Sequence, residues 1–316
     1  MFVTAKIGLC RGLASILCLA IIAAGPAAAD SGSPNFGFRP VQKLLDLSGL
    51  ARIDDTLFLA VHDAIYPDEK KRVRVSLLML PDSLDGIQWK PLHPRFPGPQ
   101  SSDLESASRI PGTRLVLLVE SGDDAGKFDR IFLALVKRGN KVVVRQAVEW
   151  RSFYPAIFNV EATAVARTAK GFLFIWGERA EGSAGTVINW TDLELNPFTI
   201  GSSGVVSSAK FTLPPELADL YNRPLVGMDV GDQGQIYGVA AYDPDSDEGP
   251  FSSAVLKLGR VSNGSVVLDT EPGLIATLDG FKTESVAVLE NGQIELFAGT
   301  DDENYGGTLR LLPPQP

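Results

Sequence analysis

The sequence predicts an all-β fold, a β-propeller of five four-stranded blades closed into one ring. Three observations lead there. First, a short motif recurs. It is clearest as Asn159-Val160-Glu161-Ala162, returns as Asp103-Leu104-Glu105-Ser106 and Lys282-Thr283-Glu284-Ser285, and is weaker as Ser48-Gly49-Leu50-Ala51 and Val226-Gly227-Met228-Asp229, where Gly replaces Glu. Taking that Gly or Glu as the marker, the positions are 49, 105, 161, 227 and 284, with steps of 56, 56, 66 and 57 residues. A fixed period of this size signals a repeat architecture. Second, each marker is followed by a turn and a continuous apolar run: Leu57–Val61, Leu115–Val119, Phe172–Trp176, Ile236–Ala240 and Ile294–Ala298. Third, the units are rich in β-branched and aromatic residues bounded by Gly, Asp and Asn, the pattern of strands and hairpins.

Blade one is expected to use Leu57–Val61, Val73–Leu80 and Ile87–Leu92 after its first marker. Blade two uses Leu115–Val119, Arg130–Lys137 and Lys141–Glu149. Blade three uses Phe172–Trp176, Val187–Leu195 and Val205–Phe211. Blade four uses Ile236–Ala241, Ala254–Arg260 and Ser265–Leu268, with Leu274–Leu278 as a continuation. Arg138-Gly139-Asn140 and Ser262-Asn263-Gly264 read as hairpin turns. The best short helix is Pro215–Leu220, with proline at its start, inserted in the one long repeat step.

Four strands in roughly 55 residues fit a propeller blade. Residues 284–316 number only 33 and residues 30–48 only 19, together one blade. The N-terminal strand near Phe38–Leu47 is therefore expected to complete the last blade beside Thr308–Leu312. That closure leaves no free sheet edge. The alternative, six blades, must fit two units into the 66 residues between 161 and 227.

Residues 1–29 read as a secretory signal peptide: Lys6 and Arg11 precede the apolar run Leu13–Ala24, and Ala27-Ala28-Ala29 offers a cleavage site. Residues 30–316 form the single propeller domain, periplasmic or secreted, with no membrane span after cleavage. Both cysteines, Cys10 and Cys18, fall in the signal segment, so no disulfide or thiolate chemistry remains. The remaining 287 residues are enough to bury a large core without one. Loss of two basic residues takes the net charge from −9 to −11. That charge disfavours nucleic acid and anionic lipid, whose binding rests on Lys and Arg, and suits cations.

The motifs around 49, 105, 161 and 284, together with Thr300–Leu309, resemble the strand starts and closing blade of bacterial secreted phytase-like propellers, a group including the SdiA-regulated and DUF3616-type families. The resemblance covers most of residues 48–312 with short, degenerate motifs. The chain departs from it where Ser106, Ala162 and Ser285 replace the usual Gly. It implies a propeller and divalent-cation binding. Related propellers include calcium-dependent phosphatases and lactonases, a kinship of fold that does not by itself transfer chemistry.

The first strand of a blade lines the central channel, so Glu105, Glu161 and Glu284 are expected to meet at one end of it. Carboxylates that close repel one another and call for a cation, arginines or water. Calcium, which takes six to eight oxygen ligands, is the natural ion. Asp229 and a second ring of acids after the apolar runs, Asp63, Glu120, Asp243 and Asp301, are candidates for further ligands. The competing reading is that the glutamates hold neighbouring blades in register. Glu178-Arg179 and Asp301–Asn304 sit where loops meet the channel mouth and read either as a binding rim or, the favoured reading, as ordinary solvated loop charges. The loop Asp243–Pro250 lacks the spacing of an EF-hand and reads as an exposed turn. His62, beside Asp63, is a weak candidate for a general base, against a structural reading; His93 sits in a proline-rich loop. Trp89, Trp150, Trp176 and Trp190 read as core. No nucleophile elbow, His-Glu-x-x-His pair or phosphate-cradling glycine loop is present.

Three classes of function follow. The leading one is a module that binds a divalent cation or a small ligand at an acidic channel mouth. The second is a calcium-dependent hydrolase of the phytase or lactonase type, with the metal activating water. The third is a platform for a protein partner.

Overall fold

A computed structural model describes residues 39–40, 46–63, 73–80, 87–101, 103–122, 128–155, 159–179, 186–214, 217, 223–244, 246, 248–290, 293–303 and 306–312. The signal segment, and all of the inserted helix except Leu217, lie outside them. No helix among the described residues is long and apolar enough to cross a membrane.

The described chain is a five-bladed β-propeller. Strand β1 (Arg39–Pro40) comes first. Blade one is the meander β2 (Gly49–Arg52), β3 (Leu57–Val61), β4 (Val75–Met79) and β5 (Gln88–Leu92). Blade two is β6 (Leu104–Arg109), β7 (Leu115–Glu120), β8 (Arg130–Lys137) and β9 (Lys141–Glu149). Blade three is β10 (Val160–Thr168), β11 (Gly171–Glu178), β12 (Val187–Leu195), β13 (Phe198–Ile200) and β14 (Ser207–Lys210). Blade four is β15 (Leu225–Val230), β16 (Gln235–Tyr242), β17 (Ser252–Ser262) and β18 (Ser265–Asp279). Blade five is β19 (Thr283–Glu290), β20 (Ile294–Thr300) and β21 (Thr308–Leu311), completed by β1, which pairs Arg39 with Leu309 and Pro40 with Thr308. The N-terminal strand thus closes the ring as expected.

The apolar runs are continuous because both faces of each blade are buried. Side chains alternate along a strand. In β7, Val116 and Leu118 enter the wedge between blades one and two, while Leu117 and Val119 enter the wedge between two and three. Five such wedges, one at each blade junction, make up the core. Trp150, Trp176 and Trp190 lie inside them and Trp89 packs against one. The outermost strands β5 and β9 face solvent along much of their length.

Two details depart from the expected strands. The outer strand of blade three is split, because β13 and β14 pair with opposite ends of β12. In blade four the two expected segments form one 15-residue strand, β18. It accommodates register shifts against β17, one at Gly259, whose φ is +148°. A Cβ there would lie 2.2 Å from the Val267 carbonyl oxygen, so only glycine fits. The turn Asn263-Gly264 has both residues at positive φ, as a two-residue hairpin requires.

Candidate functional site

The first strands β2, β6, β10, β15 and β19 each pack against the next around the ring and enclose its axis. Four of them open with a β-bulge: the register slips between Leu104 and Ser106, Val160 and Ala162, Leu225 and Gly227, and Thr283 and Ser285. A bulge leaves one residue outside the ladder and re-aims its side chain. Those residues are Glu105, Glu161, Val226 and Glu284. The repeat alignment is thereby corrected by one position in two blades. Val226, not Gly227, is the counterpart of the glutamates in blade four, and the pairing of Gly49 with Val61 puts Ser48 in that place in blade one.

Gly49 and Gly227 instead occupy the next position, with Ser106, Ala162 and Ser285. A Cβ on Gly227 would lie 2.3 Å from the Glu284 carbonyl oxygen, and one on Gly49 2.6 Å from the Ala107 nitrogen. Glycine is there because the neighbouring blade's backbone comes that close. The crevice lined by Gly49, Ser106, Gly227 and Ser285 is too narrow to admit a water molecule.

The mouth has two electrostatic halves. One is ion-paired. Arg179 donates to Glu161 Oε1 at 2.9 Å and to Asp243 Oδ2 at 3.3 Å. Lys282 Nζ lies 3.1 Å from Asp243, 3.2 Å from Glu284 and 2.5 Å from Glu303. Burial pushes the Glu161 carboxyl up to about 7, against the opposing pull of Arg179. The Lys282 amino group is buried too, yet Glu284 and Asp301 hold it charged well above its ordinary range. These pairs tie blades three, four and five together, so for Glu161 and Glu284 the register reading is supported.

The other half is acidic. Asp63 follows β3, Asp103 precedes β6, and the two form an isolated β-bridge between blades one and two. Asp63, Asp103 and Glu105 each bring a carboxylate oxygen within 4.8 Å of the others. Burial raises the Glu105 carboxyl well above its ordinary range, and the charges that raise it further are Asp63, Asp103, Glu161 and Glu284. Ser121 donates to Asp103 Oδ2 at 2.6 Å, and the Asp63 amide donates to Ser48 Oγ at 3.1 Å. Two oxygens on one calcium ion, each about 2.4 Å from it, are at most about 4.8 Å apart. The cluster has the dimensions of a cation site, and its partly exposed Asp63 and Glu105 leave an approach from solvent.

Of the remaining predicted residues, Asp301 borders the ion-paired half and the others lie away from the mouth. Asp301 is buried beside Glu284 and Asp46, and burial followed by those two charges raises it well above the ordinary range. Neighbouring Asp302, held by the Thr300 hydroxyl at 2.6 Å and the Lys282 amide at 2.8 Å, is pushed by burial up to about 6. Asp229 is away from the mouth. Its two oxygens accept the Val230 and Val288 amides at 2.8 and 2.9 Å and join blade four to blade five. His62 is fully buried between the Asp46 carbonyl (2.8 Å) and Ser76 Oγ (2.9 Å), a placement that favours the structural reading. Glu120 is fully buried under a two-point Arg130 fork at 2.6 and 2.9 Å, with Ser101 Oγ at 2.6 Å. Asp103 and Lys282 went unrecognised as site residues, although each stands two positions before its glutamate.

No family model and no curated protein matches the chain. Solved structures do. It aligns with a GH43_1 enzyme from Xanthomonas citri at 16% identity and TM-score 0.52, over 88% of this chain and 90% of the other. The same enzyme in complex with xylose gives 14% and 0.51, over 88% and 89%. A glycoside hydrolase gives 13% and 0.50, over 90% of this chain and 62% of that one. At these identities the likeness establishes the propeller fold and nothing finer.

Proposed function

We propose that the acidic half of the mouth binds one divalent cation, calcium by its all-oxygen ligands, through Asp63, Asp103 and Glu105. The carrying observation is the convergence of those three carboxylates to within 4.8 Å at the junction of blades one and two. The cluster supplies three protein ligands of the six to eight that calcium takes, so water or a ligand's oxygens complete the shell. The protein is thus read as a cation-dependent binder of an oxygen-rich small molecule at the end of the channel. Thermal unfolding in chelator and then in calcium tests this. At 100 times the dissociation constant, an ion bound only by the folded state stabilises by about 2.7 kcal/mol. The gain is expected in the wild type and absent in Glu105→Gln; equal midpoints in chelator and calcium would sink the reading.

A second reading is favoured by the upward shift of the Glu105 carboxyl and by the fold shared with GH43_1 enzymes. Glycosidases pair a carboxylic acid that protonates the leaving oxygen with a carboxylate that acts on water or on the sugar. Here Glu105, whose carboxyl burial raises above its ordinary range, would be the acid. Release of nitrophenol from a nitrophenyl xyloside, lost in Glu105→Gln, would support it. Full activity in that variant would exclude it.

A further inference from the structure

At the opposite end of the channel two arginines converge. Arg52 ends β2 and Arg109 ends β6 at equivalent positions, three residues beyond Gly49 and Ser106. Four residues of extended chain, about 13 Å, separate Glu105 from Arg109. Both arginines are more than nine-tenths buried, at 7% and 8% exposure. Both turn toward Asp232, in the turn after β15. Arg109 Nη2 donates to Asp232 Oδ1 at 2.6 Å, and Arg52 Nη2 lies 3.6 Å from Oδ2. Blade four neighbours neither blade one nor blade two, so this contact crosses the axis.

One carboxylate, itself 48% exposed, therefore serves two buried guanidinium groups. Among the described residues, Arg52 Nε and Nη1 and Arg109 Nε are buried with no hydrogen-bond partner. Asp229 lies near them, but both its oxygens already accept backbone amides. Burial, and then the charge of Arg109, lower the Arg52 pKa. Buried cations that lack acceptors are costly, and the guanidinium fork matches carboxylate and phosphate oxygens. We infer that this end of the channel is an oxyanion site, where the carboxylate or phosphate group of a small ligand takes the place of Asp232 between Arg52 and Arg109.

Calorimetric titration of the protein with inorganic phosphate and, separately, with acetate at constant chloride tests this. In Asp232→Asn the carboxylate that bridges the two arginines is gone, so an anion should bind at least tenfold more tightly than in the wild type. The double variant Arg109→Gln/Asp232→Asn should lose that binding. Tighter phosphate than acetate identifies a phosphoryl ligand, and the reverse a carboxylate. No gain in Asp232→Asn, or a double variant that keeps the affinity, overturns the inference. Should either variant fail to fold, the Nε–H resonances of Arg52 and Arg109 are followed in wild-type protein during the phosphate titration. Movement of both supports the site, and unmoved resonances refute it.

Discussion

Replacing Glu161 by glutamine is expected to remove a specific pH dependence of stability. Glu161 is 6% exposed, accepts one Arg179 donor at 2.9 Å, and keeps a second oxygen buried without a partner. Burial is the largest cause of its rise from 4.5 to about 7. Because the folded pKa lies above the unfolded one, the folded state holds the extra proton between those values. Its stabilising contribution is complete below the unfolded pKa and is lost as pH rises through the folded pKa. Each pKa unit corresponds to about 1.4 kcal/mol, so the contribution lost between about pH 4 and pH 8 is on the order of 3 kcal/mol. Glutamine cannot titrate, and Arg179 keeps Asp243 as a partner. Urea unfolding in chelator, at half-unit steps across that range, measures both proteins. The wild type's stability relative to Glu161→Gln should fall with pH by about that amount. A difference that stays flat, or grows with pH, would refute the account of the buried carboxylate.

Gly227→Ala should lower the unfolding free energy by about 1–3 kcal/mol in urea titration, since the added methyl meets the Glu284 carbonyl and forces blades four and five apart. Glu120→Gln leaves the Arg130 guanidinium without its buried counter-charge and should cost about 3–5 kcal/mol by the same measurement, without changing calcium affinity. His62→Ala should destabilise the protein while leaving cation binding, and any hydrolysis of a nitrophenyl xyloside, at wild-type levels. Loss of either function in folded His62→Ala would restore histidine to the site.

The ring was legible because a propeller repeats its physics. Every blade needs a doubly buried second strand, and each one announces itself as an apolar run at a fixed interval. Closure by the N-terminal strand followed from counting residues, and β1 beside β21 bears it out. The position of the glutamates within the motif was less legible. Gly49 and Gly227 stand beside the marker site and mimic a substitution in it; only strand register, set by bulges, separates the two. The sequence motif Asp103-Leu104-Glu105 already held two of the cluster's three acids, but Asp63 joins them through blade packing that no local pattern encodes. The arginine pair at the other end was present as a repeated arginine-isoleucine pair, Arg52-Ile53 and Arg109-Ile110, while its partner Asp232 comes from across the axis. Glu161 and Glu284 are ion-paired by Arg179 and Lys282, whose reach across blades appears only in three dimensions.

The most direct measurement is a calorimetric titration of calcium into chelator-stripped protein, wild type beside Glu105→Gln and Glu161→Gln. The account predicts one ion per chain in the wild type, loss of binding in Glu105→Gln, and retention in Glu161→Gln, whose carboxylate is engaged by Arg179. Absence of binding in the wild type, or equal affinity in Glu105→Gln, would contradict it.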